Sequence, residues 1–178
     1  MTPDHSGWLP PEQYFASLPA AVLAAGLAIF DGDGNVMLVR PVYQTSTPWE
    51  IVGGVCDLGE YPADTAEREL TEELGSACGL TVGRLLVVDV VPPELPRPTL
   101  IVFVFAGSTL TPEAEARIQF ADGELAEHRL VPLDVADTML VPRLARRLRA
   151  AAEARANGQT LYLHHGDPFL PETRSTAT

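Results

Sequence analysis

Apolar and polar residues alternate along the chain in blocks that predict short strands interleaved with helices. Apolar runs bounded by glycine, proline or other polar turn residues predict strands at 21–30, 36–40, 49–54, 84–91, 99–105, 130–133 and 160–163. Apolar residues at helical spacing predict helices at 62–74 and 141–156, and a short helix at 11–17. The strand at 99–105 is strongly β-forming and apolar and is expected to lie in the middle of a sheet.

Turn residues connect the first two predicted strands. The segment Asp31–Asn35 begins like a calcium-binding loop, but Val36 stands where such a loop needs glycine. A hairpin turn is therefore the better interpretation. A proline-rich connection follows at 92–98. It contains four prolines and is expected to form an ordered loop or a lid.

The pattern shows no internal repeat and no linker. We expect an N-terminal arm at 1–20, one domain at 21–170 and a disordered tail at 171–178. Strands and helices do not alternate with a uniform rhythm, which argues against a doubly wound parallel sheet.

The predicted helix after Pro62 has two distinct faces. Pro62 suits a first helical position, and Gly75 suits the residue at which a helix ends. Apolar residues form one stripe, whereas Glu69, Glu72 and Glu73 share another face. Clustered carboxylates either face water or hold a hard divalent cation such as Mg²⁺ or Mn²⁺, so this face is a candidate metal site.

Composition narrows the classes of function. The net charge of −12 argues against nucleic-acid and anionic-membrane partners. All 12 basic residues are arginine, so lysine-dependent chemistry, including Schiff bases and P-loops, is excluded. Cys56 and Cys78 form no disulfide or zinc pattern. We expect a soluble, cytoplasmic protein, because no signal peptide or membrane-length apolar run is present.

The spacing from Gly54 to Ser76 is more specific than an acidic helix. Gly54 is followed by Glu60 and then by the run Arg68-Glu-Leu-Thr-Glu-Glu-Leu-Gly75. This spacing resembles the Nudix box, G-x5-E-x7-R-E-U-x-E-E-x-G-U, where U is aliphatic. Ser76 at the last position is the one departure within the box. Val52 also stands where family members usually have proline before the two glycines.

The resemblance implies a fold and a chemistry. It implies a Nudix-type α/β/α sandwich with a mixed β-sheet, and a metal-dependent pyrophosphohydrolase. Glu69, Glu72 and Glu73, with the carbonyl of Gly54, would hold Mg²⁺ or Mn²⁺. In the family, the residue at Arg68 organises the box by pairing with a carboxylate. The residue at Glu60 supports the loop or an outer ligand.

Other site residues are less strongly indicated. The general base would be Glu72 or Glu73 of the box, or Glu124 or Glu127 from a later loop, with Glu127 included among the catalytic candidates. Four residues are candidates for substrate binding. Arg40 and Arg97 are candidates to bind phosphate through paired N–H donors, and Tyr43 and Trp49 are candidates to stack on a base. Three arginines of the last helix, Arg146, Arg147 and Arg149, are expected to form a solvated face.

Substrate choice lies outside the box. In the family, a proline about 16 residues past the box is typical of many ADP-ribose pyrophosphatases, and Pro92 stands at that distance from Ser76. We therefore favour a nucleoside diphosphate linked to another moiety, such as ADP-ribose. The alternatives are a nucleoside triphosphate pyrophosphohydrolase, a non-catalytic Nudix-fold regulatory module, or an acidic metal-buffering protein. A small-molecule nucleotide is the expected partner, and the resemblance also admits a homodimer.

Overall fold

In a computed structural model, the strands form one six-stranded mixed sheet and a separate two-stranded sheet. The structure describes residues 9–42, 49–120 and 123–169. The predicted tail at 171–178 and the first eight residues of the arm lie outside these ranges. The elements, in chain order, are α1 (Pro11–Ser17), β1 (Ala21–Ala28), β2 (Val36–Pro41), β3 (Gly53–Val55), α2 (Pro62–Leu74), β4 (Val82–Val91), β5 (Thr99–Gly107), α3 (Pro112–Glu115), β6 (Leu125–Val131), α4 (Leu133–Met139), α5 (Pro142–Asn157), β7 (Leu161–His164) and β8 (Asp167–Pro168).

The large sheet has the order β3-β1-β5-β4-β7-β8. Its β1–β5 and β4–β7 pairs are parallel, whereas β1–β3, β4–β5 and β7–β8 are antiparallel. The prediction that 99–105 is a central strand is confirmed, because β5 lies between β1 and β4. The sheet is therefore mixed, as expected.

Two apolar layers cover opposite faces of this sheet. On one face, Ala25 and Leu27 of β1 pack with Leu70 and Leu74 of α2. On the other face, Ala28 of β1 packs in the same cluster as residues of α4 and α5. Since successive strand residues point to opposite faces, one strand supplies both cores. The α/β/α sandwich predicted from the sequence is confirmed.

The turn between β1 and β2 closes through Asp31. Its carboxylate accepts hydrogen bonds from the backbone N–H groups of Asp33 at 2.9 Å and Asn35 at 2.8 Å. The antiparallel bridge between Phe30 and Val36 completes the predicted hairpin turn. Beyond this bridge, β2 leaves β1 and pairs with β6 in the small sheet.

Two predicted strands differ from the observed elements. The segment 49–54 is extended for only part of its length: Glu50 makes a single bridge to Val39, and the strand itself is Gly53–Val55. The strand predicted at 130–133 is observed at Leu125–Val131, and Leu133 begins α4 instead. Pro132 precedes that helix and ends the strand pairing, because proline has no N–H to donate.

Candidate active site

Helix α2 begins and ends where its sequence predicts. Pro62 is at its first turn and Gly75 follows its last residue with φ +78°. Ala66, Leu70 and Leu74 are buried against the sheet. This packing fixes the rotation of the helix and so directs its glutamates toward β3 and the loop that follows it.

Arg68 joins the carboxylates of this region. Its Nε and Nη2 donate to the two oxygens of Glu60 at 3.0 and 3.1 Å. Its Nη1 donates both to Glu69 Oε1 at 2.8 Å and to Glu72 Oε2 at 2.9 Å. Arg68 also donates to the carbonyl of Val55 in β3. Arg68 thus contacts three carboxylates and β3, and its role as the organiser of the box stays a prediction.

Glu60 holds the loop before α2. Its Oε2 also accepts from the backbone N–H of Asp57 and from the hydroxyl of Thr65, at 2.9 and 2.8 Å. The Arg68 hydrogen bonds, followed by those of Asp57 and Thr65, lower the pKa of Glu60 to about 2. The same pairing with Glu60 raises the pKa of Arg68. Glu60 is thus an ionised anchor of the loop.

Two consecutive glycines allow β3 to approach both β1 and α2. A Cβ on Gly53, whose φ is +146°, would lie 2.3 Å from the carbonyl oxygen of Ala25. A Cβ on Gly54 would lie 2.2 Å from Oε1 of Glu69. The carboxylate of Glu69 therefore lies directly against the Gly54 backbone. On the other side, Glu73 accepts a hydrogen bond from the Gly53 N–H at 3.1 Å.

The electrostatic state of Glu69 differs from that of Glu60. Burial raises its pKa, the hydrogen bond from Arg68 opposes this, and the charges of Glu72 and Glu124 raise it further. Burial thus makes the ionised form of Glu69 less favourable than that of a solvated carboxylate, and additional positive charge nearby would favour ionisation. A divalent cation would supply that charge.

The donor set fits a hard cation. Within the described ranges, no three His, Cys, Asp or Glu side chains are arranged as a metal site. Glu69 and Glu72 nevertheless both contact one nitrogen of Arg68, so their oxygens lie near a common positive group. All donors are oxygens, which suits Mg²⁺ or Mn²⁺. Glu69 also lies against Gly54, and Glu73 contacts the neighbouring Gly53, but the role of these residues as metal ligands stays a prediction.

The two later carboxylates have different surroundings. The charge of Glu124 acts on Glu69, which places it near the box. Glu127 instead forms ion pairs with Arg40 at 2.8 Å and with Arg129 at 3.4 Å. The hydrogen bond from Arg40, chiefly, lowers the pKa of Glu127. Catalysis by either residue stays a prediction, but the pairing of Glu127 with Arg40 makes it a weaker base.

The substrate-binding candidates have different surroundings. Tyr43 lies outside the described residues. Arg40 is held by Glu127, and Arg97 donates to the carbonyls of Pro98 at 2.8 Å and Pro92 at 3.0 Å inside its own loop. These contacts give both guanidinium groups structural partners, and their roles toward substrate stay predictions.

Trp49 lies at a cavity on the α5 face of the sheet. The indole is 8% exposed, and the guanidinium of Arg129 lies 4.8 Å from its ring centroid. The cavity has a volume of about 270 Å³. Small and aliphatic residues of β1 and β5 form part of its lining, with the segment 49–55 and α5 completing it; they include Ala24, Gly26, Leu100 and Val102.

Sequence reasoning missed the contribution of α5 to this cavity. Arg143 and Arg147, four residues apart on one helix face, both line it. The expectation that Arg147 is solvated is wrong: it is 5% exposed and paired with the buried Asp89. The aspartate in the apolar strand Val82–Val91 was the available signal, since a buried carboxylate needs a partner.

Comparisons with known proteins agree with this architecture. A model of the NUDIX domain matches residues 20–151. A MutT protein from Methanosarcina mazei Go1 is 19% identical with a TM-score of 0.61, and the match covers 81% of this chain and 100% of that chain. A C. elegans Ap4A hydrolase is 22% identical with a TM-score of 0.58, covering 76% of this chain and 98% of that chain.

A third solved structure is an ADP-ribose pyrophosphatase from Streptococcus suis 89-1591. It is 20% identical with a TM-score of 0.56, and the match covers 80% of this chain and 98% of that chain. A search of curated proteins returned no match. Across residues 9–42, 49–120 and 123–169, no helix has the length and apolarity needed to cross a membrane.

The fold and the acidic helix define a hydrolase of phosphoric anhydrides. The chain belongs to the Nudix family, since the family model spans most of its length and the box retains its carboxylates. It is a pyrophosphohydrolase of that family.

Proposed function

We propose that this protein hydrolyses the pyrophosphate bond of a nucleoside diphosphate linked to another moiety, with ADP-ribose as the favoured substrate. One observation carries the proposal: β3 is shared by the carboxylate site and by the cavity. Gly53 and Gly54 contact Glu73 and Glu69 and also line the cavity. A nucleoside in the cavity would therefore place its phosphates beside the glutamates.

The cavity suits a nucleoside of this kind. Its lining is mostly apolar, which favours a flat ring, and Trp49 adds an aromatic side chain. The proline-rich loop 92–98 connects β4 to β5 close to Leu100 at the cavity. This position supports a role of the loop in shaping the site for the second moiety.

The box residues would perform the hydrolysis. Glu69, Glu72, Glu73 and the Gly54 carbonyl would hold Mg²⁺ or Mn²⁺, which neutralises phosphate charge and lowers the pKa of bound water. Arg68 orients Glu69 and Glu72 through a single nitrogen. Glu124 would accept a proton from the attacking water, while the bridging P–O bond breaks and the leaving phosphate takes the electron pair.

The substrate assignment is tested by product analysis. We expect purified protein with Mg²⁺ to convert ADP-ribose to AMP and ribose 5-phosphate, and EDTA to abolish the reaction. A panel of nucleoside triphosphates, sugar nucleotides and dinucleotides is assayed in parallel by chromatography. If kcat/KM for a triphosphate exceeds that for ADP-ribose tenfold or more, the substrate assignment is wrong.

The same assay tests the general base. We expect Glu124→Gln to lower kcat at least tenfold and Glu127→Gln to lower it much less. The reverse order would assign the base to Glu127 and overturn our preference. A homodimer stays a prediction, and light scattering would test it.

A further inference from the structure

The α5 wall of the cavity carries two arginines with different surroundings. Arg147 is neutralised: its Nε and Nη2 donate to Oδ2 of Asp89 at 2.8 and 2.6 Å. The other oxygen of Asp89 accepts from the backbone N–H of Gly166 at 2.9 Å. This pair is buried, and both oxygens of Asp89 already accept hydrogen bonds.

Arg143, one turn before, has no such partner. It is half-buried and lines the cavity, yet its guanidinium makes no hydrogen bond or ion pair with any residue in the described part of the chain. Its charge lies near enough to Arg147 to contribute to the lowered pKa of that residue, which burial mainly causes. The α5 wall thus bears one cation more than Asp89 neutralises.

An excess cation in this position is unusual for this chain. The protein has a net charge of −12, so its carboxylates outnumber its arginines, yet no ion pair between a described carboxylate and Arg143 is observed. Glu50 also lines the cavity, but it has contacts of its own. A partly desolvated guanidinium favours an anionic oxygen ligand, which it can bind with paired N–H donors.

We propose that Arg143 binds a phosphate group of the substrate and so determines which nucleotides enter the cavity productively. The inference rests on the proposed function, because the nucleoside must occupy the same cavity. The phosphates would then lie between Gly53–Gly54 and α5. Arg143 would hold them from one side and the box residues from the other. Arg97, by contrast, is held inside its loop.

The effect on kinetics follows from the kind of contact. Arg143 would bind the phosphate equally in the ground state and the transition state, so its loss should raise KM and change kcat little. A hydrogen bond between charged groups corresponds to roughly a ten- to hundredfold change in affinity. Arg143→Lys keeps the charge but loses the planar pair of N–H donors. We therefore expect its KM to lie between those of the wild type and Arg143→Gln.

The test compares Arg143→Gln and Arg143→Lys with Arg149→Gln. Arg149 is an exposed arginine of the same helix, paired with Asp137 away from the cavity. We measure kcat and KM for ADP-ribose, and inhibition constants for ADP and adenosine, which differ only in their phosphates. We expect Arg143→Gln to weaken ADP inhibition at least tenfold, to leave adenosine inhibition unchanged, and Arg149→Gln to change neither.

Two outcomes would overturn the inference. Unchanged inhibition by ADP would show that Arg143 does not contact phosphate, and equal weakening of ADP and adenosine would assign it a merely structural role. Failure of the proposed substrate is a separate result. If the wild type cleaves a triphosphate instead of ADP-ribose, the comparison is made with that triphosphate and its nucleoside.

Discussion

Replacement of Gly54 by alanine should separate catalysis from folding. The added Cβ would lie 2.2 Å from Oε1 and 2.6 Å from Cδ of Glu69, whereas ordinary contacts of a Cβ begin near 3.4 Å. The obstructing atoms are the end of a flexible side chain, so the carboxylate can move away. Gly54 also lacks a positive φ, so alanine fits its backbone. The fold should therefore remain while Glu69 is displaced.

The size of the effect follows from that displacement. Relief of the contact requires the carboxylate to move by about 1 Å, and a misplacement of this size can cost about a hundredfold in rate. A hundredfold corresponds to about 2.7 kcal/mol of transition-state stabilisation. We therefore expect Gly54→Ala to lower kcat about a hundredfold, with a melting temperature near that of the wild type.

Two other glycines provide the controls. Gly32→Ala meets nothing within 4 Å and should behave as the wild type. Gly53→Ala would place its Cβ 2.3 Å from a backbone oxygen at positive φ, so it should lower the melting temperature as well as the activity. Steady-state assays with Mg²⁺ and thermal denaturation followed by circular dichroism measure both effects. Near-normal turnover by Gly54→Ala would refute the placement of Glu69 in the reaction site.

Three further predictions concern the box and the buried ion pair. Glu72→Gln and Glu73→Gln should each lower kcat at least a hundredfold at unchanged circular dichroism, because each removes a ligand oxygen; turnover close to that of the wild type in both would contradict the metal assignment. Glu60 has a folded pKa of about 2, below its ordinary value of 4.5, so it contributes stability above pH 4.5 that is lost as the pH falls toward 2. Glu60→Gln should accordingly flatten the acid side of a stability–pH curve from urea denaturation, and an unchanged curve would count against the Arg68 pairing. Arg147→Met leaves the buried Asp89 unpaired and should cost about 3–5 kcal/mol. That loss lowers the melting temperature by roughly 6–20 °C, and adding Asp89→Leu should restore most of it; a single variant as stable as the wild type would be inconsistent with the pair.

The sequence by itself determined the local features of the site. Pro62, Gly75 and the apolar stripe specified α2, because helix ends and helix faces depend on residues close together in the chain. The same spacing placed Glu69, Glu72 and Glu73 on one helix with Arg68. The strongly apolar segment 99–105 likewise specified a central strand, since burial on both faces requires a continuous apolar run.

Only the tertiary structure decided the contacts between distant segments. The sequence could not show that Glu127 pairs with Arg40, 87 residues away, while Glu124 acts on the box. Nor could it show that Arg147 is buried on Asp89, because charged residues on a helix usually face water. Hydrophobic periodicity records which face of an element is buried, but the partner across that face depends on strand order and register. The cavity between β1, β5 and α5 exists only once those elements are packed together, and so does the position of Arg143 at its wall.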